Sequence, residues 1–395
     1  MATDFTVDRD TVKYVLNSSG DIASVAIDTP AIEYNTDGTY KGLLVEPAST
    51  NLCKQSEDIN TTWGTIGSTP TQSTEETPDG DTSNKYIKLI DDNGGGTGSV
   101  LVAQTIAVTA GTKYTASVFL KADQLAFAFI RAEAYDVLTA GDQFFGLSGA
   151  GSLGTASNLD DSSIEAYPNG WYRCSITWTQ GASDTSFNLQ IKVADSISNR
   201  TVDKDGTSSI FVWGAQVEAS PIATSYIPTT TASVTRNADD ISLTGASDLI
   251  GQSEGTIYVE VDWRLATGKT QFICRIDSSV DGGVLAYVRA DANYNVIRFQ
   301  LQEDSGVARV IDTGESSDIT GIQKIAFAYA SADSKFAING TTYTPSTNNA
   351  FAFTETLDRI FFNSGNQTNQ PNMWIRAVAL YKTRLTNDQL ADLTS

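Results

Sequence analysis

The chain of 395 residues has no histidine. That removes the commonest general base, the commonest zinc ligand and the usual switch near neutral pH. It also excludes Ser-His-Asp and Cys-His catalysis. Cysteine is scarce. Cys53, Cys174 and Cys274 are far apart and odd in number, so they offer no CxxC spacing and no disulfide framework. They read as buried free thiols of a protein assembled in a reducing cytosol. No run approaches ~18 uninterrupted apolar residues, so no membrane insertion is expected. MATDFTVDRD at the N-terminus lacks the apolar core of a signal peptide, so export by a standard leader is not expected. There is no Walker loop, GxGxxG or GxSxG, and no cofactor is implied. Positive charge is thin, with 26 Lys and Arg against 47 Asp and Glu, a net charge of −21 and a pI near 4.3. Such a surface repels phosphate backbones and argues against nucleic-acid binding.

What is present is the composition of a strand-rich protein. Hydrophobic residues make up 40%, enough to fill real cores, and the 31 glycines suit many turns. Residues 1–50 read as a small N-terminal β element for attachment, in which FTVDRDTVKYVL and IASVAI form a hairpin around NSSGD. From 51 to 228 the alternation is strong. LAFAFIRAEAY sets Phe127, Phe129, Arg131, Glu133 and Tyr135 on one face and Ala126, Ala128, Ile130 and Ala132 on the other. WYRCSITWT and TSFNLQIKV alternate in the same way. Period two with one polar face means antiparallel strands wetted on one side, and many such strands without a long helix make a sandwich. Residues 229–245 are polar and Thr-rich and read as a linker in which VTR can pair as an edge strand. Residues 246–395 bring a second run of strands and one helix, TNDQLADLTS, started by a Thr386–Gln389 capping box. The expected class is all-β: a hairpin element, a jelly-roll sandwich and a second sandwich with a short C-terminal helix.

The sharpest catalytic suggestion is EVDWR at 260–264. Glu260 and Asp262 lie two apart on one strand face, as in the Glu-x-Asp-x-Glu strand of laminarinase-type glycosidases. Arg264 stands where the acid would be, so the second of two flanking carboxyl groups is missing. Tyr287 and Arg289 are the kind of pair a polysaccharide lyase uses, without a third partner. Hard oxygen ligands for a structural calcium are offered by Asp91, Asp92, Asp203 and Asp205. Glycan binding needs hydrogen-bonding groups and an aromatic platform on an exposed face. Arg131, Glu133 and Tyr135 with Asn188, Gln190 and Lys192 supply the first, and Trp63 and Trp171 the second.

Two boxes carry a family resemblance. GLLVEPASTNL (42–52) resembles the Gly-Leu-Leu-(Val/Ile)-Glu-x-x-x-Thr-Asn-Leu box of bacteriophage tail and fibre proteins, with Ser49 where that family commonly has Arg. WGAQVEASPIATSYIPT (213–229) with VTRNAD (234–239) is similar to its closing signature. The intervening strands resemble the associated carbohydrate-binding-module-like jelly roll, and AVALYKTRLTNDQLADL resembles the end of a concanavalin-A-like or laminin-G-like sandwich. The resemblance implies a non-enzymatic virion protein, a tail fibre, tail spike or head-attached fibre. It implies a homotrimer assembled in the host cytoplasm, in contact with other virion proteins and attaching to host cell-surface polysaccharide. A scaffold or decoration protein and a polysaccharide depolymerase or lyase are the alternatives. Leu43, Leu44, Glu46, Trp213, Gln216 and Arg236 are expected to form a structural clasp between the two boxes, with Leu43, Leu44 and Val45 pinning the N-terminal hairpin to the jelly roll. Glu46, if buried, should pair with Arg236.

Overall fold

A computed structural model describes residues 5–134, 140–264, 271–279, 286–291, 296–303, 307–311, 321–362 and 370–395. The protein is all-β, two sandwiches with, among the described residues, one short α-helix at the C-terminus. One sandwich is built from two six-stranded sheets. Its first sheet runs in the order Ser152–Ser157, Ala140–Gly146, Phe127–Ala134, Ser186–Ala194, Leu101–Ala107, Gly64–Ile66. Its second runs Asp161–Ala166, Trp171–Thr179, Lys113–Ala122, Ser209–Glu218, Lys85–Asp91, Ser68–Ser73. The alternation places every inward residue as expected: Ala128, Ile130 and Ala132 meet Tyr172, Cys174, Ile176 and Trp178, and Phe187, Leu189, Ile191 and Val193, in one core. Gly214 sits at φ 65° beside a register shift between Ser117 and Phe119. A side chain there would strike the Phe119 ring at 2.8 Å, so the bulge requires glycine.

The other sandwich is not confined to the C-terminal half. Its seven-stranded sheet ends with Glu254–Trp263, Met373–Tyr381, Tyr40–Val45 and Ile32–Tyr34, and its eight-stranded sheet begins with Thr6–Asp8 and Asp240–Leu243. The first 50 residues are therefore no separate element. They supply three strands to the second sandwich, and the jelly roll is inserted between them and the rest of that fold. The segment 229–245 is likewise not a plain linker. Val234–Arg236 pairs with Ser49–Asn51, and Asp240–Leu243 pairs with Thr6–Asp8 on one side and Leu357–Phe361 on the other.

The reason lies in the unbroken apolar triplet. Leu43 and Val45 point into the core of the second sandwich. Leu44 points the other way, onto Val15, Ala31 and Trp374. A strand buried on both faces reads as a continuous apolar run. Gly42 precedes it because a Cβ there would lie 2.7 Å from Trp374 Cβ. The triplet thus pins the chain to the second sandwich, not to the jelly roll. It is the hairpin Lys13–Leu16 with Ile22–Val25 that covers the jelly roll: Leu16 and Ile22 lie on Trp171, Phe119 and Trp213 on the outer side of its second sheet.

The C-terminal helix Asn387–Thr394 carries its expected capping box at Thr386 and Gln389. Leu390 is fully buried against Tyr258, Ala326, Ala328 and Ala337, so the helix covers the outer face of the seven-stranded sheet near its edge.

Candidate functional site

Two assemblies of charge stand out. The first joins the sandwiches. Glu46 is 2% exposed and its carboxylate accepts from Ser225 N at 2.8 Å and Ser225 Oγ at 2.7 Å. Lys13 approaches it at 3.0 Å and Arg236 at 3.5 Å. Burial alone would raise its pKa, but Lys13, Arg236 and the two bonds from Ser225 outweigh that and hold the carboxyl well below the usual range. Asp239, fully buried, accepts from Arg9 Nη1 at 2.7 Å, Lys13 Nζ at 2.6 Å and the Glu46 amide at 2.9 Å. The Glu46–Arg236 pair is the one expected. Arg9, Lys13 and Asp239 are additions that no local pattern announces.

Around these charges the two boxes interlock. Asn51 donates to Ala215 O and Ile227 O and accepts from Cys53 N and Val217 N. Gln216 accepts from Ile227 N at 2.7 Å. Trp213 packs on Tyr226 with ring centroids 4.7 Å apart. Ser49 donates to Glu218 Oε1 at 2.5 Å. The stretches 49–52 and 213–218 lie side by side, and the ends of the inserted sandwich meet there.

The second assembly lies on the outer face of the first jelly-roll sheet. Arg131, Glu133, Asn188, Gln190 and Lys192 all project from this face. Tyr135 lies outside the described residues. Gln190 Nε2 donates to Glu133 at 2.7 Å, and Asn188 Nδ2 to Thr105 Oγ1 at 3.2 Å. Beside them runs a groove of about 870 Å³, lined by Leu52, Lys54, Thr62, Ile66, Ala103, Thr105, Glu133, Asn188 and Gln190 among others. Its wall is fixed by Gln104, which accepts from Lys54 N and donates to Lys54 O and Thr62 Oγ1. Next to the groove, Arg131 makes a bidentate pair with Asp142 at 2.6 and 2.8 Å, and this bonding raises its pKa. Burial, reinforced by Arg131 and Arg200, pulls Lys192 down to about 8, against the opposing pull of Asp142 and Glu133.

The expected aromatic platform is absent from this face. Trp63 is packed in the jelly-roll core, and Trp171, fully buried under the hairpin, donates to Glu76 O. Both were open to either reading because a tryptophan next to turn residues looks alike in a loop and beneath another element. The calcium ligands do not form a cage either. Loops 91–99 and 203–208 do meet, but Asp91 spends its carboxylate on the amides of Asn93, Gly206 and Ser208. Asp92 pairs with Lys204 at 2.9 Å, and Asp205 caps Thr207. Asp203 is exposed in the short ladder opposite Thr97. On the EVDWR strand, Ile257, Val259, Val261 and Trp263 fill the core while Glu260 pairs with Arg376 at 2.8 Å. Tyr287 and Arg289 lie on a described strand whose side chains are outside the described set.

No family model matches the chain, and no curated protein does. Among solved structures it is similar to Trypanosoma rangeli sialidase in complex with sialic acid, at 10% identity and TM-score 0.29, over 74% of this chain and 60% of that one. It is also similar to the LG4-5 domains of the mouse laminin α1 chain, at 9% identity and TM-score 0.24, over 83% of this chain and 91% of that one. The chain thus spans less than two thirds of the sialidase it matches. The expectation of a non-enzyme does not stand: sialidases are among these similar structures, and a likeness at a TM-score near 0.3 leaves enzyme status open.

Proposed function

We propose that the chain is a bacteriophage virion protein that attaches to cell-surface glycan through the outer face of its inserted jelly roll. The observation that carries this reading is the groove. It is open and shallow, floored by Ile66, Ala103 and Ala107, and edged by amide, hydroxyl and carboxylate groups at Asn188, Gln190, Thr105 and Glu133. Sugars present apolar C–H patches between hydroxyls that both donate and accept, and a floor and edge of this kind match them. The interlocked boxes support the virion assignment, since they are the segments that resemble phage tail and fibre proteins. The resemblance also supports a homotrimer.

The test is a glycan array and a host-envelope pull-down with the full chain, repeated with Asn188→Ala and Gln190→Ala. Binding that falls by up to about tenfold in either variant, at unchanged melting temperature, is the expected outcome; loss of one neutral hydrogen bond is worth up to about that much. Binding that ignores both variants removes the groove from the reading.

A further inference from the structure

Beside the groove, three cations converge on one aromatic ring. The guanidinium of Arg131, the ammonium of Lys192 and the guanidinium of Arg200 lie 5.6, 5.4 and 5.6 Å from the Phe129 ring centroid. Phe129 is fully buried, backed by Phe144 at 4.5 Å. Among the described residues the charge here is not matched. Asp142 is committed to Arg131 and reaches Arg200 only at 3.9 Å, while Glu133 takes the amide of Gln190. Lys192 is 5% exposed, yet among the described residues it forms no hydrogen bond and no ion pair. A largely buried lysine whose ammonium meets only a ring face is costly to keep charged, and two neighbouring guanidinium groups add to the cost. Arg200, with a side chain 44% exposed, leaves the patch open to solvent.

We propose that Arg131, Lys192 and Arg200 form a seat for the carboxylate of an acidic sugar whose ring lies in the adjoining groove. The proposal rests on the groove being the glycan site. Gln190 and Lys192 are two residues apart on one strand, so their side chains stand about 7 Å apart on one face, roughly the span of a pyranose with its exocyclic carboxylate. In register, Arg131 lies opposite Gln190 and Phe129 opposite Lys192, so the seat continues the groove edge. Three cations and two carboxylates leave a surplus of one, which a monoanion cancels. A densely charged polyanion is disfavoured by the net charge of −21 on the whole chain.

The experiment is titration calorimetry of the full chain with an oligogalacturonate and a hyaluronan oligosaccharide, each beside its carboxyl-reduced form and beside a sulfated galactan oligosaccharide. One or both carboxylated glycans should bind, and carboxyl reduction or Lys192→Met should each weaken that binding about tenfold or more. Lys192→Arg should keep the preference for the acid form. Melting curves of Lys192→Met at or above those of the parent exclude misfolding. Equal affinity for acid and reduced forms, with sensitivity to Asn188→Ala, overturns the carboxylate seat and leaves the groove reading standing. Preference for the sulfated glycan overturns it as well. Failure of every glycan to bind removes the groove reading, and the seat falls with it.

Discussion

The clasp and the outer-face patch contain the same charges, three cations and two carboxylates, and use them in opposite ways. In the clasp, Arg9, Lys13 and Arg236 share Glu46 and Asp239, and the surplus cation is absorbed by main-chain oxygens. Arg9 donates to Thr11 O, Ala26 O and Thr29 O, Lys13 to Leu44 O, and Arg236 to Pro47 O and Asn237 O. All five side chains are at most 2% exposed. In the patch, among the described residues, no carbonyl and no carboxylate reaches Lys192. A closed network is built to hold two sandwiches together. An open one, at the edge of a groove, holds a place for something else.

The largest effect should come from Asp239→Asn. It leaves Arg9 and Lys13 buried with half their countercharge, and breaking a buried pair from one side costs about 3–5 kcal/mol. Chemical denaturation should show that loss, and a change below about 1 kcal/mol would mean the clasp is ornamental. The next prediction sets the two regions directly against each other. Lys13→Met should destabilise by a similar amount, because it strands Asp239 and Glu46. Lys192→Met should leave stability unchanged or raise it. The sign follows from the titration: Lys192 falls from 10.5 to about 8 on folding, so the unfolded chain holds that proton more tightly. The resulting penalty is present below pH 8 and is relieved as pH rises from 8 towards 10.5. The parent should therefore gain on Lys192→Met across that window. Parallel curves would break the contrast.

Acid should separate the clasp in turn. Glu46 is depressed below its ordinary 4.5, so its contribution is full above pH 4.5 and is lost only as pH falls through the lower folded value. The stability gap between the parent and Glu46→Gln should be flat from pH 8 to 5 and close well below pH 4. A gap that closes already at pH 5 would place Glu46 outside the network.

How far the sequence announces all this depends on range. Period-two alternation in LAFAFIRAEAY, WYRCSITWT and TSFNLQIKV is local, and it assigns each face correctly, the outer row of Arg131, Glu133, Asn188, Gln190 and Lys192 included. The capping box of the last helix is equally local. The pairing of Leu44 with Trp374 spans 330 positions of chain and leaves only one trace, an apolar triplet without alternation. Arg9, Lys13 and Asp239 leave none, since an isolated charge in a polar stretch looks the same whether it ends in solvent or in a sealed junction. Trp63 and Trp171 fail for the converse reason: their burial is decided by segments far away in the chain.

The smallest loss expected is that of Ser49→Ala. Here a hydroxyl meets the buried Glu218. Glu218 also accepts from Thr224 N at 3.0 Å and from Thr224 Oγ1, so removing Ser49 does not orphan the carboxylate. The cost should be about 1 kcal/mol, near the net value of a single hydrogen bond, read from denaturation midpoints. Glu218→Gln in the Ser49→Ala background should then cost less than in the parent, because the two share one bond. Additive losses would show that Ser49 and Glu218 act independently and that the hydroxyl plays no part in tying the stretches 49–52 and 213–218 together.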